Sequence, residues 1–276
     1  MSPNGQPESP ARSPDELQRL PRPVYGQTTD ALPRRILGYR HRHAWGQLSY
    51  AAQGVFEIRT ERGRFVAPSQ RAVWIPAGVS HQLYCPPGSH VRSLYFAAEL
   101  TPWDDGRCRV LAVGALLREL IRAFNALPVE YAEDGPAGRL VGVLLDQLAA
   151  APEQELVLPL PGEPRLRRLC RSLQAHPDGA AGLAEWSARL GVSEKTLSRL
   201  FRRETGLTFR AWRQRLRLFS ALPRLEGGER VTDVALACGY DSTSAFIAAF
   251  REQFATTPGE FLRPRGGSPA APPHAN

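Results

Sequence analysis

The stretch from Glu185 to Arg203 predicts two short helices joined at a glycine, and it constrains the fold more than any other part of the chain. Apolar residues recur at helical spacing up to Gly191, and a second apolar face with the same spacing follows it. These apolar residues are Leu183, Trp186 and Leu190 before the glycine, and Leu197, Leu200 and Phe201 after it. Ser193 is positioned to cap the second helix, and Glu194 is favoured in its first turn by the helix dipole.

The second helix of this stretch carries polar and basic residues opposite its apolar face. Serine, lysine and arginine side chains reach base edges and phosphates, and a helix that presents them can enter a major groove. The candidate DNA-binding residues of this helix are Lys195, Thr196, Ser198, Arg199 and Arg202. Lys195 is the only lysine of the chain. Taken alone, the pattern also fits an ordinary helical hairpin in another fold.

The same pattern recurs after a long helical pattern that runs from about Phe209 to Leu222. Gly239 separates an apolar stripe from a second helix, which Ser242 is positioned to cap. The stripe consists of Val231, Val234, Ala235 and Cys238, and the apolar residues of the second helix are Phe246, Phe250 and Phe254. A rigid helix between the two units would hold two reading helices one DNA turn apart, about 34 Å.

Four motifs in these units make the chain similar to the AraC/XylS family of transcriptional regulators. They are LAEWSARLGVS (183–193), LFRRETG (200–206), VALACGY (234–240) and AFIAAFR with TTPGEFLR (245–263). The resemblance implies that the first unit reads bases with Lys195, Ser198 and Arg199, and the second with Thr243, Ser244, Ala245 and Ala248. Because the second set is mostly small, we expect that helix, with Ser242 and Arg251, to provide register and phosphate contacts more than base discrimination.

Two residues of the DNA-binding half depart from the family pattern. Ala255 stands where the family usually has a glycine, at a helix C-terminus that often needs the left-handed conformation, so we expect modest strain or a different cap. Pro223 falls near the end of the connecting helix, where it removes a hydrogen bond and kinks or ends the helix if it is interior.

The basic charge of the chain is concentrated in this half. The chain has 276 residues and a net charge of +8, and residues 163–265 hold 18 Arg and Lys against 11 Asp and Glu. This asymmetry suits a polyanion partner, although basic faces are also common for solubility alone. The four cysteines show no CxxC spacing, and the sequence has neither an apolar signal segment nor a membrane-span pattern. We therefore predict reduced thiols, a cytoplasmic location and no membrane partner.

Strand patterns replace helical ones between Val24 and about Glu99. Six short runs are rich in β-branched and aromatic residues and are separated by turn residues. They cover residues 45–52, 54–60, 63–68, 71–76, 81–85 and 90–96. This pattern predicts a small β-sandwich or barrel. It resembles the cupin-type sensor domain that precedes the DNA-binding half in many AraC/XylS regulators.

Three histidines and a glutamine in these strands form a candidate effector or metal site. His41, His43 and Gln47 lie at even spacings, so on a regular strand they share one face and can point into the barrel. In cupins, a turn like Pro76-Ala-Gly78-Val-Ser-His81 brings a further histidine to the same place. Such a set suits Zn, Ni, Fe(II) or Mn, although metal-binding cupins usually have a glutamate at the position of Gln47. Alternatively, the histidines bond to one another, or they line a pocket for an organic effector.

Two helical stripes and a proline-rich segment follow the strands. The stripes run from Leu111 to Phe124 and from Leu140 to Leu148. They either pack on their own domain or form a two-fold dimerisation surface, which would place two DNA-binding halves on repeated half-sites. Residues 151–162 hold three prolines and no helical stripe, so we interpret them as a linker that lets the halves reorient.

The sequence as a whole predicts an α+β two-domain chain. An N-terminal small cupin-like β-barrel with a helical pair precedes an all-α domain of two helix-turn-helix units. The predicted segments are a disordered N-terminus (1–23), the sensor domain (24–150), the linker (151–162), the DNA-binding domain (163–265, with motifs at about 183–204 and 231–254) and a disordered tail (266–276).

We therefore predict a sequence-specific transcription regulator that is not an enzyme. It binds double-stranded promoter DNA as a homodimer, responds to a metal or small molecule at the barrel, and contacts RNA polymerase if it is an activator. One alternative is an effector-independent regulator whose barrel is structural. Another is a cupin metalloenzyme fused to a DNA-binding domain.

Overall fold

The computed structural model of the chain describes residues 19–28, 39–86, 89–103 and 105–261. The strands are β1 (Val24–Thr28), β2 (Gly46–Gln53), β3 (Val55–Thr60), β4 (Gly63–Pro68), β5 (Arg71–Ile75), β6 (His81–Tyr84), β7 (His90–Phe96), β8 (Arg109–Ala112), β9 (Glu153–Gln154) and β10 (Val157–Pro159). The helices are α1 (Ala115–Asn125), α2 (Pro136–Ala149), α3 (Pro164–Ala175), α4 (Leu183–Leu190), α5 (Glu194–Thr205), α6 (Phe209–Glu226), α7 (Val231–Ala237), α8 (Thr243–Phe254) and α9 (Pro258–Phe261). None of these helices is long and apolar enough to cross a membrane.

All six predicted strands are present as β2 to β7, and together with β1, β8, β9 and β10 they form two antiparallel sheets. One sheet has the order β1-β7-β2-β5-β8-β9, and the other has the order β10-β4-β3-β6. Successive residues of a strand point to opposite faces, so Val73 and Ile75 face the four-stranded sheet while Ala72 and Trp74 face the other way. No strand ladder of the described residues joins the two sheets, so the expected barrel is an open sandwich.

Helices α1 and α2 cover the outer face of the six-stranded sheet. Leu117, Ile121 and Phe124 of α1 are buried against it, together with Val141, Leu144 and Leu148 of α2. The apolar stripes thus pack mainly on their own domain, and Leu116 and Val143 remain 54% and 44% exposed. The first helical stripe was predicted to include Leu111, which is wrong because that residue lies in β8. A short apolar run does not distinguish a buried strand from a helix.

The segment predicted as a linker contributes a strand to each sheet. Strand β9 pairs with β8, and β10 pairs with β4 in the register Val157 to Phe65. Leu156 and Leu158 are buried. Pro159 is the last residue of the edge strand β10, where a missing N–H is tolerated, and Pro152 and Pro161 lie outside the strands. The predicted linker, residues 151–162, therefore contains two short strands, and these pair with the sensor domain.

The two terminal segments that were predicted to be disordered lie largely outside the described residues. The tail 266–276 and most of segment 1–23 lie outside them. Within 19–23, Ala97 donates its backbone N–H to the Pro23 carbonyl at 2.8 Å, and Arg22 Nε donates to the Tyr131 carbonyl at 3.0 Å. The last residues of the segment predicted to be disordered are thus attached to the sensor domain.

A buried ion pair lies where the four-stranded sheet meets α3. Arg64 donates from Nε and Nη2 to the Glu57 carboxylate at 2.8 and 2.6 Å, and from Nη1 to Gln174 of α3 at 3.3 Å. Burial alone would raise the pKa of Glu57, but the hydrogen bonds and charges of Arg64 and Arg59 hold it below its ordinary value. The carboxylate is therefore charged and fixes Arg64 in place toward the helical half.

The helical half contains both predicted helix-turn-helix units. Gly191 between α4 and α5 and Gly239 between α7 and α8 have positive φ angles of 65° and 78°. At Gly239 a side chain has no room, because an added Cβ would lie 2.9 Å from the Asp178 Cα atom. The predicted caps are also present: Ser193 accepts from the Thr196 N–H and Ser242 from the Ala245 N–H, both at 3.2 Å.

The two departures from the family pattern have different outcomes. Pro223 lies inside α6, but only in its last turn, and the helix continues to Glu226. Ala255 ends α8 in the left-handed conformation with φ 55°, as the sequence predicted. A non-glycine residue in this conformation costs about 1–2 kcal/mol because its Cβ crowds the neighbouring carbonyl.

Replacing Ala255 by glycine should therefore stabilise the protein. We expect Ala255→Gly to raise the free energy of unfolding by about 1 kcal/mol, measured by urea denaturation. Ala248→Gly, at an exposed helical position of the same α8, is the matched control and should lower it by about 0.5–1 kcal/mol. Equal destabilisation by both substitutions would contradict the strain at Ala255.

Candidate DNA interface and histidine cluster

The first reading helix, α5, exposes the face that the sequence predicted. Lys195, Ser198, Arg199 and Arg202 are exposed, and Thr196 is half-buried beside the capping serine. Leu197 and Phe201 on the opposite face are fully buried and fix the rotation of the helix. Among the described residues, neither Lys195 nor Arg199 forms an ion pair, so both charges are available to a polyanion. The base-reading roles of these side chains stay a prediction.

The second reading helix, α8, exposes small side chains. Ser242, Ser244, Ala245, Ala248 and Arg251 are exposed, and Thr243 is half-buried. Phe246 and Phe250 anchor the helix in the core. Short side chains would let the backbone of α8 approach DNA closely. Such a surface suits contacts with the DNA backbone more than bidentate contacts with bases.

The three candidate histidines come together, although not on a regular strand. Strand β2 begins only at Gly46, and His41 is joined to His81 by an isolated bridge with two backbone hydrogen bonds of 2.9 Å. His43 precedes β2, and its carbonyl accepts the Gly78 N–H at 2.8 Å. The turn at Gly78 thus delivers His81 to the other two. One ring nitrogen from each of the three histidines lies within 4.8 Å of the others.

Backbone carbonyls orient the imidazole rings. The Nδ1 atoms of His43 and His81 lie 2.7 and 2.8 Å from the carbonyl oxygens of Trp45 and Val79. Because a carbonyl can only accept, each Nδ1 must carry the hydrogen. In the neutral ring, Nε2 is then the atom with a lone pair. This is the arrangement by which proteins hold histidine ligands of a metal.

Gln47 completes the cluster from the floor of the sheet. Its Oε1 lies 2.8 Å from His43 Nε2 and 3.2 Å from His81 Nε2. Its Nε2 donates to Ser49 Oγ at 2.9 Å, which turns the amide oxygen toward the imidazoles. Ser49 and Ser93, which hold this amide, were not among the predicted site residues. Because side chains alternate along a strand, the position of Ser49 two residues after Gln47 already places it on the same face.

A cavity of about 590 Å³ is lined on the sensor side by Thr60 of β3 and by Val79 and Ser80, which precede His81 in the chain. Glu153 and Val157 line it from the linker strands. Arg109 also lines it; its guanidinium lies 5.0 Å from the ring centroid of Trp103. A ligand in this cavity would contact the sensor domain and the linker at once.

The cysteines take no part in the DNA interface or the histidine cluster, although Cys108 lines the neighbouring cavity. Burial raises the pKa of the Cys85, Cys108 and Cys170 thiols to about 12 and of Cys238 to about 11. These thiols are protonated at neutral pH, and none belongs to the histidine cluster.

Comparisons with known proteins agree with this architecture. A helix-turn-helix domain model matches residues 186–264, and an AraC-like ligand binding domain model matches residues 35–149. The HTH-type transcriptional regulator NimR of Escherichia coli (strain K12) is 35% identical over 222 residues, which cover 80% of this chain and 81% of that one. The HTH-type transcriptional activator RhaR of Klebsiella pneumoniae is 30% identical over 154 residues, or 54% of this chain and 47% of that one.

Solved structures are also similar to parts of the chain. The C-terminal domain of AraT, a response regulator from Geobacillus stearothermophilus, is 26% identical with a TM-score of 0.36, over 41% of this chain and 94% of that one. ToxT from Vibrio cholerae is 10% identical with a TM-score of 0.37, over 87% of this chain and 96% of that one.

The domains, the exposed reading helices and the matching relatives define a DNA-binding transcription regulator with a ligand-binding N-terminal domain. It is not an enzyme, since the domains and the relatives are those of transcriptional regulators. The chain belongs to the AraC/XylS family.

Removing a base-reading side chain should reduce sequence preference as well as affinity. We expect Lys195→Ala and Arg199→Ala each to weaken binding to a selected cognate duplex by about 1–3 kcal/mol, and to a scrambled duplex by less. Fluorescence anisotropy titrations at fixed salt measure both. Arg122→Ala, an exposed arginine of α1, is the control and should leave both affinities unchanged. Equal losses on the two duplexes would contradict base reading.

Proposed function

We propose that the chain is a metal-responsive transcription regulator in which His41, His43, His81 and Gln47 hold a divalent transition metal. The observation that carries the proposal is the convergence of three histidine nitrogens within 4.8 Å of one another. Imidazole nitrogens with one amide oxygen suit Zn, Ni, Fe(II) or Mn. A bound cation would supply charge and fixed geometry at this point.

The polar contacts of the cluster are compatible with a bound cation. The lone pairs on the Nε2 atoms of His43 and His81 both face the oxygen of Gln47, which is also an acceptor. Acceptors that face one another are repulsive unless a proton or a cation lies between them. A protonated imidazole would satisfy them as well, which is the structural alternative for this cluster.

The sheet offers a route from the cluster to the DNA-binding half. His81 begins β6 at one edge of the four-stranded sheet, and β10 of the linker forms the opposite edge. Arg215 of α6 donates to the Val157 carbonyl in β10 at 3.0 Å, so a shift of this edge acts on the helix between the two reading units. Occupancy of the cluster would favour one position of the linker and thereby change DNA affinity.

An organic effector in the neighbouring cavity is the second candidate. The cavity is favoured because both the sensor strands and the linker strands line it. Its lining includes the buried Phe65, Val110 and Arg109 and the exposed Arg62, Arg107, Glu61 and Glu153. A compact ligand with an apolar body and an anionic group fits this lining.

Dimerisation and polymerase contact complete the proposed function. The exposed Leu116 and Val143 on α1 and α2 are the part of the helical stripes left for a second copy. A two-fold dimer would present two DNA-binding halves to repeated half-sites of the promoter. RNA polymerase contact applies if the regulator is an activator.

The metal proposal predicts nearly stoichiometric metal in protein purified without a histidine tag or chelator. The triple variant His41→Ala/His43→Ala/His81→Ala should lose it, as measured by elemental mass spectrometry on the folded dimer. His90→Ala, a histidine of β7, is the matched control and should keep it. Gln47→Glu should tighten metal binding because a carboxylate is a better ligand than an amide.

The absence of metal from the purified protein would test the proposal from the other side. If wild-type protein is metal-free and also fails to bind added Zn, Ni, Mn and anaerobic Fe(II), the metal proposal is wrong. An effector response that survives in the triple variant would then place the effector in the neighbouring cavity. A complete lack of any response would support a structural sensor domain.

Coupling through the linker predicts a separate mutant phenotype. Arg215→Gln removes the hydrogen bond to the Val157 carbonyl, so we expect the ratio of DNA affinities with and without metal to move toward one. DNA titrations with metal-loaded and metal-depleted protein measure this ratio. Arg224→Gln, on the same helix but paired with the exposed Glu229, should leave the ratio unchanged. A wild-type ratio in Arg215→Gln would exclude this route.

A further inference from the structure

A cleft of about 430 Å³ separates α6 from α8 in the DNA-binding half. One face of α6 and the first turns of α8 line most of it, through Arg210, Arg213, Gln214, Arg217, Ala245 and Ala249. No acidic residue of the described chain lines the cleft. The cleft thus concentrates arginine side chains without a carboxylate to balance them.

The arginines that line this cleft form no ion pair with a carboxylate of the described residues. Neither Arg213 nor Arg217 forms an ion pair with a residue in the described ranges. Partial burial and the charge of Arg217 lower the pKa of Arg213, as expected for two neighbouring cations. Partly buried charge of one sign is stabilised by a bound ion of the opposite sign.

Backbone carbonyls hold Arg213 and Arg217 in place, and Arg217 keeps terminal N–H groups for a further acceptor. Arg213 donates to the carbonyls of Gly179 and Ala181, the latter at 3.0 Å, and Arg217 Nε donates to the Pro177 carbonyl at 3.1 Å. The Arg217 guanidinium also lies 5.9 Å from the Tyr240 ring centroid. Its terminal nitrogens make no hydrogen bond within the described residues, and the same holds for the side chains of Arg210 and Gln214. A fixed guanidinium with free terminal N–H groups suits a tetrahedral oxyanion.

The location of the cleft indicates the source of the oxyanion. Arg210 is exposed in the first turn of α6, directly after the loop that ends α5, and Ala245 is exposed in the first turn of α8. The cleft therefore adjoins reading helix α8 and the start of α6, the helix that follows α5. A strand of bound DNA that runs from one major-groove segment to the next would pass close to it. We infer that Arg210, Gln214 and Arg217 bind a backbone phosphate of DNA between these segments. The inference rests on the DNA-binding part of the proposed function and not on the metal cluster.

The test uses the full-length protein and a duplex selected by the wild type from random sequences. The double variant Arg210→Gln/Gln214→Ala changes two side chains that bond to nothing else in the described chain. We expect about a tenfold loss of affinity on the selected and the scrambled duplex alike, and a log–log salt slope shallower by about 0.9. Ethylation of a phosphate midway between the two contacted major-groove segments should weaken wild-type binding by about tenfold or more, and should weaken binding of the variant, which keeps only Arg217 at this phosphate, by less. Arg224→Gln, at the other end of α6, is the control and should match the wild type.

A second arm distinguishes DNA from a free anion. Inorganic phosphate is titrated at constant ionic strength while the melting temperature is measured. Phosphate stabilisation of the wild type alone, with equal DNA affinity in both proteins, would overturn the DNA source. Equal affinities, equal salt slopes and no phosphate response would overturn the site altogether while leaving the regulator assignment intact. Arg217→Lys keeps the charge but loses the planar donor pair, so it should preserve the salt slope while lowering affinity.

Discussion

The indole of Trp212 is fully buried where the linker meets the first helix-turn-helix unit. Its ring centroid lies 5.8 Å from that of Phe201 in α5, and its N–H donates to the Pro159 carbonyl at 2.7 Å. A buried N–H without an acceptor costs about 1–3 kcal/mol, so the linker must keep Pro159 at this position. Because α6 also carries the second unit, the position of both reading helices depends on this contact.

The sensor domain reaches the same point through its sheet. Strand β10, which ends at Pro159, forms a ladder with β4, and β4 is joined through β3 to β6 and His81. The regulator thus has a continuous hydrogen-bonded layer between its candidate effector site and the helix that spaces its DNA contacts. A flexible connection would separate the two halves, whereas the paired edge strand β10 keeps the sheet in direct contact with α6.

The helical half was predictable from sequence because its structure is local. Helix spacing, the turn glycines and the serine caps are all encoded within a few residues, and even the left-handed Ala255 follows from its position. The sensor half depends on pairing between distant residues. The sequence identified His41, His43, His81 and Gln47, but it could not show that an isolated bridge, and not a regular strand, unites them. Strands β9 and β10 are too short to leave a periodic pattern.

Because the linker pairs with both sheets, the sensor domain ends at about Pro159 and not at residue 150. Strands β9 and β10 cover the outer edges of β8 and β4. A sensor fragment that stops at residue 150 would leave both edges with unsatisfied backbone groups, and open edges recruit other strands. A fragment that continues through Pro159 would keep them closed. The few residues between the two halves therefore belong to the sheets of the sensor domain, in addition to joining it to the helices that bind DNA.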